Sequence, residues 1–263
     1  MGSATLKKNY FQLLLQHMQR YLRFHAHPTI RYHHARRIKI VYSLLQRSSG
    51  AALLDVGCGE GLDVFNLANQ YPYTIGIDLS IDALNRAMEC NPPTNAFFVR
   101  GDAEYLPFCS RSISISICLD VLEHLPAPRN ALKELKRVSK DLIVIAVPLA
   151  TNPPFSKLLS KLRWFKTTPF NIETEAERKG MKELPEHGHL HEYSVSKIKK
   201  ELQELRVQNI KGLILMGQFT LPFREKILSR FPKFVHIFVR LDEIFSRLFP
   251  LGRWGAAVIA IHP

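Results

Sequence analysis

Glycines and carboxylates recur where apolar, strand-like segments of this 263-residue sequence end. The stretch Leu54–Gly61 reads LDVGCGEG, with a glycine at every second position from Gly57. This spacing lets the main chain turn sharply and approach a ligand where any Cβ would collide. Asp78 lies roughly 20 residues further on, where an acidic side chain can take both hydroxyls of a ribose. The pattern predicts a site for a ligand that contains a nucleoside.

A third acidic segment supports that prediction. Gly101-Asp102-Ala103-Glu104 follows the third strand-like run, so acidic residues recur at successive strand ends. A single aspartate would be explained equally well as a helix N-cap or a turn residue. Because the carboxyl ends of parallel strands share one edge of a sheet, the repeated pattern favours a binding site.

The elements that must position these residues alternate between strand and helix. Runs rich in β-branched residues and bounded by Gly, Asp or Pro indicate strands, and their alternation with helical patterns predicts a parallel sheet covered on both faces. The predicted strands are Ala51–Val56, Thr74–Ile77, Ala96–Val99, Ile113–Leu119 and Leu142–Val147, and the predicted helices are Leu62–Gln70, Ile81–Cys90 and Ala127–Ser139.

Further elements are predicted on both sides of this core. Two basic helices, broken near His27–Pro28, precede it. A helix at about residues 194–204, a strand at about 207–215 and a last strand at Ala256–Ile261 follow it. We therefore divide the chain into a basic helical region (1–49), a core (50–215 with 255–263) and an insertion (216–254).

Basic charge is confined to the flanks of the chain. The net charge is +13, and the first 50 residues carry nine Lys or Arg and no acidic residue. Residues 51–150 have a net charge of −4, and residues 151–263 a net charge of +8. Such a distribution favours an anionic partner, either a nucleic acid or a lipid surface. The alternative is a solvated basic surface that maintains solubility.

Composition narrows the class of protein. Hydrophobic residues make up 46% and charged residues 22%, which excludes extensive disorder and low-complexity architecture. The four cysteines (Cys58, Cys90, Cys109 and Cys118) lack CxxC spacing, which favours a reducing compartment. No apolar run approaches the ~18 residues of a membrane span. We expect a cytoplasmic protein that can attach peripherally to a membrane.

Together the motifs resemble the class I S-adenosylmethionine-dependent methyltransferases, above all the type 11 branch with the ubiquinone and menaquinone biosynthesis methyltransferases. The matching stretches follow in family order: Leu54–Gly61, Gly76–Ser80, Gly101–Phe108, Asp120–Leu125 and Glu134–Val138. The resemblance implies a Rossmann-like α/β fold with a seven-stranded sheet, and S-adenosylmethionine as the cofactor.

The resemblance assigns a role to each matched position. The methionine part of the cofactor is expected against the first turn, formed by Asp55, Gly57, Cys58, Gly59 and Gly61. Asp78 is expected to bind the ribose hydroxyls and Leu79 to pack on the adenine face. Asp102 and the Ala103 amide are expected to contact the adenine edge.

Two residues after the fourth strand are the catalytic candidates. Asp120 is expected beside the sulfonium and the acceptor, and His124 could take a proton from the acceptor. The alternative for His124 is a histidine that packs or caps the following turn. Asp120, Glu123 and His124 also resemble, with Asp in place of Glu, the metal-binding ExxEH of some O-methyltransferases. Because relatives without a metal share this pattern, we predict no metal site.

The acceptor pocket is expected to draw on the loop-rich segment 150–192. In the family, a Gly-His-x-x-x-Tyr/Phe stretch lines this pocket, and His189 and Tyr193 match it here. A polar loop or edge strand is the alternative explanation for the alternating histidines at positions 187, 189 and 191.

The insertion is long for this family and unusually aromatic. Seven of the 16 phenylalanines lie in it: Phe219, Phe223, Phe231, Phe234, Phe238, Phe245 and Phe249. Some recur at helical spacing among arginines and lysines, which is typical of helices that bind a membrane interface. The alternative is an ordinary cap that packs on the core.

These observations predict a methyltransferase for a hydrophobic or membrane-associated small molecule, such as an isoprenoid or lipid-linked compound. A soluble natural product or a saccharide is the alternative acceptor, and RNA is a weaker one. Asn152-Pro153-Pro154-Phe155 has the letters of an amine-binding motif of nucleic-acid methyltransferases, but it follows the fifth strand instead of the fourth. A catalytically silent module that binds the cofactor is the alternative from another class.

Overall fold

A computed structural model describes residues 28–46, 50–149, 190–205, 207, 209–216, 237 and 255–263. Its helices are α1 (Pro28–Leu45), α2 (Leu62–Leu67), α3 (Ile81–Glu89), α4 (Pro128–Val138) and α5 (Val195–Glu204), with a short 3₁₀ helix at Leu122–His124. Its strands are β1 (Ala52–Val56), β2 (Tyr73–Asp78), β3 (Ala96–Arg100), β4 (Ile113–Leu119), β5 (Ser139–Leu149), β6 (Asn209–Met216) and β7 (Gly255–His262).

The strands form one sheet in the order β3-β2-β1-β4-β5-β7-β6. Strands β1 to β5 are mutually parallel, and β7 is antiparallel to both of its neighbours. The predicted Rossmann-like α/β fold is confirmed. Since the chain moves outward in one direction from β1 to β3 and in the other from β4 to β5, a crevice opens between the carboxyl ends of β1 and β4.

The direction of β6 follows from the same pairings. Because β6 and β5 are each antiparallel to β7, β6 runs in the same direction as β1–β5. Met216, the last residue of β6, pairs with Ala256 at the start of β7. The two strands therefore meet the predicted insertion at the carboxyl edge of the sheet.

The core lies on both faces of this sheet. Along β1, Leu53 belongs to the hydrophobic cluster that contains α1, whereas Leu54 belongs to the cluster that contains α4 and α5. Both leucines have no exposed surface. This alternation follows from the two-residue period of a strand and explains why nearly continuous apolar runs mark the central strands.

Helix α1, the described part of the basic region, packs against the sheet. Val41 and Leu45 are fully buried among side chains of β1, β4, β5 and β7. The Tyr42 hydroxyl donates to Asp63 Oδ1 at 2.6 Å, and the Tyr71 hydroxyl donates to the Leu45 carbonyl at 3.2 Å. This helix is thus a structural layer of the fold. The domain boundaries themselves remain a prediction.

Strand β5 begins earlier than the apolar pattern predicts. Ser139, expected as the last residue of the preceding helix, instead pairs with Ile113 in the sheet. Its hydroxyl donates to the buried Ser116 Oγ at 2.7 Å, so this polar residue is satisfied inside the core. The first three residues of β5 are polar, so a prediction from hydrophobicity alone places the start of this strand too late.

Candidate active site

The turn after β1 combines left-handed backbone with an open space. Gly57, Gly59 and Gly61 have φ angles of 75°, 54° and 73°, which side chains rarely adopt. A Cβ on Gly57 would lie 2.3 Å from Val121, and one on Gly61 would lie 2.6 Å from Phe98. A Cβ on Gly59 would meet no atom of the described residues within 4 Å. Gly59 therefore leaves room for a ligand, whereas the other two glycines permit tight packing.

Cys58 contributes its main chain and not its thiol to this turn. Its side chain is 1% exposed and packs with Val64 and Leu84. Burial raises the pKa of the thiol well above its ordinary value, so it stays protonated and unreactive. The amides of Gly57 and Cys58 both donate to the Ile77 carbonyl, at 2.8 and 3.1 Å, which ties the turn to the end of β2.

Asp78 is held at the end of β2 by two main-chain bonds. The Gly59 amide donates to Oδ2 and the Ser80 amide donates to Oδ1, both at 2.8 Å. Each carboxylate oxygen has two lone-pair directions, so both can still accept a bond from a ribose hydroxyl. Leu79 is 61% exposed beside it, a position suited to packing on a flat base. The ribose role of Asp78 and the adenine role of Leu79 remain predictions.

The turn after β3 presents a third carboxylate. The Glu104 amide donates to Asp102 Oδ1 at 2.8 Å, and Asp102 and Tyr105 form an isolated β-bridge. Ala103 lies between them and packs in part against the main hydrophobic cluster. Asp102 is therefore held in a defined orientation at the same sheet edge as Asp78.

Asp120 lies at the end of β4 in a strained conformation. Its φ angle is 56°, and its amide donates to the Ala146 carbonyl of β5 at 2.9 Å. Backbone strain of this kind costs of order 1–3 kcal/mol and is concentrated at functional sites. It aims the Asp120 carboxylate away from the regular path of the strand and toward α1.

Arg37 of α1 forms an ion pair with Asp120. Its Nη1 donates to Oδ1 at 2.7 Å, and its Nη2 donates to Oδ2. The same Nη2 lies 3.0 Å from His34 Nδ1. The Arg37 and Asp120 side chains are 11% and 21% exposed, so the pair is mostly shielded from water. A guanidinium that binds a carboxylate through two nitrogens is both strong and directional.

Arg37 is not among the predicted site residues, because in the sequence it is one charge of a basic region. A different signal was present in the sequence. Arg37, Val41 and Leu45 recur every fourth residue and therefore share one face of a helix. Since that face packs on the sheet, it carries Arg37 to the end of β4.

Glu123 and His124 occupy the 3₁₀ helix after β4. Glu123 is 1% exposed, and its Oε2 has no hydrogen-bond partner among the described residues. Burial, reinforced by the negative charge of Asp120, raises the pKa of Glu123 well above its ordinary value. His124 is 24% exposed, with Nε2 3.9 Å from Glu123 Oε1.

Of the two residues predicted to bind the acceptor, the structure describes only Tyr193. Tyr193 is 1% exposed, forms a β-bridge with Leu149 and packs in the core. His189 lies outside the described residues, as do most of the predicted lid and almost all of the predicted insertion. The acceptor role of both side chains remains a prediction.

The structure bears on a metal centre only within the described part of the chain. Among the residues of that part, no three His, Cys, Asp or Glu side chains come together in a way that could hold a metal ion. His191 is described, and its Nε2 lies 3.3 Å from the Pro126 carbonyl. His187 and His189 fall outside the described ranges.

The carboxyl edge thus gathers carboxylates around an open turn. Asp55 is 4% exposed at the end of β1, Asp78 and Asp102 follow β2 and β3, and Asp120 follows β4. S-adenosylmethionine carries an ammonium, a sulfonium, a ribose diol and an adenine amino group. Fixed carboxylates suit each of these groups, and the space at Gly59 admits them. The residues present fit this cofactor.

Part of this chain is similar in sequence to known methyltransferases. The family model described as a methyltransferase domain matches residues 54–143. The 2-methyl-6-phytyl-1,4-hydroquinone methyltransferase of Synechocystis sp. is 36% identical over 101 residues, which are 37% of this chain. Those residues span only 32% of that relative's length.

Solved structures share the fold at low sequence identity. The magnesium protoporphyrin IX methyltransferase of Synechocystis PCC 6803, with bound S-adenosylhomocysteine, aligns over 99% of both chains with a TM-score of 0.61 and 15% identity. The [4+2]-cyclase SpnF aligns over 87% of this chain and 80% of its own, with a TM-score of 0.55 and 15% identity.

The fold is that of the class I methyltransferases, and the residues at the carboxyl edge of the sheet fit S-adenosylmethionine as the cofactor. The match to the methyltransferase-domain model covers residues 54–143. That segment contains most of β1, all of β2 to β4 and the residues from Asp55 to Asp120 that are predicted to bind the cofactor.

We expect Asp78→Ala to weaken binding of S-adenosylhomocysteine about 10- to 100-fold, because it removes the acceptor for the ribose hydroxyls. Asp82→Ala is the matched control, since Asp82 is exposed in the first turn of α3 and should leave binding unchanged. Isothermal titration calorimetry measures both. Equal affinities for the two variants would contradict the ribose role of Asp78.

A double-mutant cycle should reveal the ion pair of Arg37 and Asp120. We expect a coupling energy of about 1–3 kcal/mol between Arg37→Met and Asp120→Asn in urea unfolding, because the pair is mostly buried and bidentate. The exposed pair Arg129–Glu204 is the control and should couple by less than about 1 kcal/mol. A coupling no larger than that of the control would show that Arg37 does not hold Asp120 in solution.

Proposed function

We propose that this protein transfers the methyl group of S-adenosylmethionine to a hydrophobic or membrane-associated small molecule. The observation that carries the transfer is the set of fixed carboxylates around the open turn at Gly59. The acceptor class is supported by other features. The relative named above acts on a phytyl hydroquinone and the fold neighbour on a porphyrin, both according to their names.

The chain's own residues orient the reactants. When bound, S-adenosylmethionine supplies a methyl group on a sulfonium sulfur, which a nucleophile of the acceptor displaces. The glycine turn and Asp55 would hold the methionine part, while Asp78, Leu79 and Asp102 would hold the nucleoside. Alignment of nucleophile, methyl carbon and sulfur is the main contribution a protein can make to such a reaction.

Asp120 suits an orienting role at this site. Arg37 fixes its carboxylate through two nitrogens, and its negative charge lies at the crevice where a cationic methyl donor would bind. A group held in this way stabilises charge without moving. The ion pair therefore favours electrostatic stabilisation by Asp120 over proton acceptance.

His124 is our candidate for proton acceptance. Methylation of a hydroxyl, or of a carbon beside one, releases a proton from the acceptor. His124 is partly exposed just past β4, and the buried Glu123 carboxyl lies 3.9 Å from its Nε2. An imidazole in this position can take the proton near neutral pH.

A methyl-transfer assay tests this function. Incubation with S-[methyl-³H]adenosylmethionine and 2-methyl-6-phytyl-1,4-hydroquinone should label the lipid, and a catechol, a glycoside and transfer RNA serve as competing acceptors. We expect His124→Ala to lower kcat about 10²- to 10⁴-fold with unchanged cofactor affinity. His262→Ala, at the last residue of β7, is the control.

The outcomes separate the alternatives. Label on the catechol or glycoside alone would favour a soluble acceptor, and label on transfer RNA alone would favour a nucleic acid. Cofactor binding with no transfer to any acceptor would favour a silent module. A normal rate for His124→Ala would assign this histidine to packing of the turn.

We further propose that the flanks attach the protein to anionic membranes. The first 50 residues carry nine basic and no acidic side chains, and the insertion is rich in phenylalanine. Each basic side chain near an anionic surface contributes ~1 kcal/mol, and inserted aromatic rings add an apolar contribution. No described helix is long and apolar enough to cross a bilayer. Arg37 is one of these nine, and its pairing with Asp120 leaves at most eight basic side chains for the membrane.

Liposome flotation tests the attachment. We expect recovery with vesicles that contain phosphatidylserine and less recovery with neutral vesicles, and 1 M salt should weaken binding because it shortens the Debye length to ~3 Å. Replacing Phe234, Phe238 and Phe245 by Ser should lower recovery, whereas Phe97→Ser, an exposed phenylalanine of β3, should not. No recovery with either type of vesicle would contradict the proposal and favour a soluble acceptor.

A further inference from the structure

The loop after β3 is fastened to helix α4 by charged side chains. We call residues 101–109 the adenine loop, because Asp102 and Ala103 are the residues expected to contact the adenine edge. The loop has no regular strand of its own. Its shape therefore depends on bonds to neighbouring elements.

Arg137 and Glu134 bind the main chain of this loop from one side. Arg137 donates from Nη2 to the Leu106 carbonyl at 2.9 Å and from Nη1 to the Phe108 carbonyl at 2.7 Å. Glu134 Oε2 accepts from the Leu106 amide at 2.8 Å. Both polar groups of one loop residue, Leu106, are thus bonded to side chains of α4.

The two side chains also fix each other. Arg137 donates from Nε to Glu134 Oε1 and from Nη2 to Oε2, both at 2.7 Å. The hydrogen bonds from Arg137 are the main cause of a lowered pKa at Glu134, which therefore stays ionised at neutral pH. Each partner is one turn of helix from the other, so the pair needs no change in the backbone.

Glu104 makes a third connection between the loop and α4, in which a side chain of the loop binds the main chain at the helix end. Its Oε1 accepts from the amide of Ala127, the residue that caps the start of α4, at 2.7 Å. Its own amide donates to Asp102 Oδ1 at 2.8 Å. The orientation of the Asp102 carboxylate is therefore linked to the N-terminal end of α4 through one residue.

Helix α4 is a rigid base for these contacts. Its inward face (Ala131, Leu132, Leu135 and Val138) is almost completely buried in the main hydrophobic cluster. Leu106 of the loop enters the same cluster and is only 4% exposed. The loop is held at two points along the helix, with Asp102 and Ala103 beside the attached segment.

We propose that Glu104, Glu134 and Arg137 are positioning residues for the base of the cofactor, and that through Asp102 they set the preference for a 6-amino purine over a 6-oxo purine. This inference rests on the proposed cofactor role of the site. A carboxylate accepts a hydrogen bond from a 6-amino group but is repelled by a 6-oxo group. Discrimination therefore requires that Asp102 be held in place.

If these three residues were merely structural, their removal would affect nucleoside binding differently than if they position Asp102. General loosening of the protein would weaken binding of any nucleoside by the same factor. Loss of the Asp102 orientation would weaken binding of the adenine compound far more than binding of the hypoxanthine compound. The ratio of the two affinities is therefore the informative measurement.

Calorimetry with S-adenosylhomocysteine and S-inosylhomocysteine measures this ratio without catalysis. The parent protein should bind the adenine compound at least about 10-fold more tightly, since one well-placed polar contact is worth that much. Arg137→Ala, Glu134→Ala and Glu104→Ala should each lower affinity for it about 10- to 100-fold, because misplacement by about 1 Å has effects of this size. In these variants the ratio of the affinities for the adenine and hypoxanthine compounds should approach one.

Conservative variants protect the test from misfolding. Arg137→Lys keeps the charge, but a single ammonium cannot donate to both carbonyls as the guanidinium does. It should therefore give an intermediate ratio of the two affinities. Glu134→Gln keeps one acceptor for Leu106 and should act likewise. Arg129→Ala and Glu204→Ala remove an exposed ion pair between α4 and α5, and should leave both affinities unchanged.

Each outcome decides a separate point. A ratio that stays at the parent value in Arg137→Ala and Arg137→Lys would overturn the positioning role while leaving the proposed cofactor intact. Equal losses for both compounds would overturn it as well. If the parent protein binds neither compound, the proposed cofactor fails and this role fails with it.

Discussion

A parallel sheet has two apolar faces, and each must be covered before the sheet is stable in water. Here α4 and α5 cover one face and α1 covers the other. The need for the second cover brings a basic helix onto the core, and its register carries Arg37 to the end of β4. The ion pair at the crevice thus depends on the same packing that holds the sheet together.

This arrangement distributes negative charge unevenly over the candidate site. Four aspartates face the carboxyl edge, but they are not equivalent. Asp78 and Asp102 are fixed by main-chain amides, which leaves their charge for a ligand. Asp120 is fixed by a guanidinium, which offsets part of its charge. The negative potential is therefore strongest where the methionine and nucleoside would lie and weaker at the place expected for the acceptor.

Much of the fold and of the cofactor site was predictable from sequence, because both depend on local patterns. Glycine spacing and β-branched runs located β1 and its turn, and Asp78 and Asp102 followed as residues at strand ends. Contacts between distant segments were not predictable in this way. The bond from Arg37 to Asp120 spans 83 positions, and the bond from Arg137 to Leu106 spans 31. Neither pair forms a motif, since only the packing of helix on sheet brings its members together.

The antiparallel strand β7 has a consequence for how such a protein can change. Met216 and Ala256 are paired neighbours in the sheet, so the segment between them has its two ends at almost the same point. The entropy of closing such a segment rises by only ~0.6 kcal/mol for each doubling of its length. That point lies on the carboxyl edge, in the two strands beyond β5. The segment can therefore be lengthened, shortened or exchanged during evolution with little disturbance of the sheet.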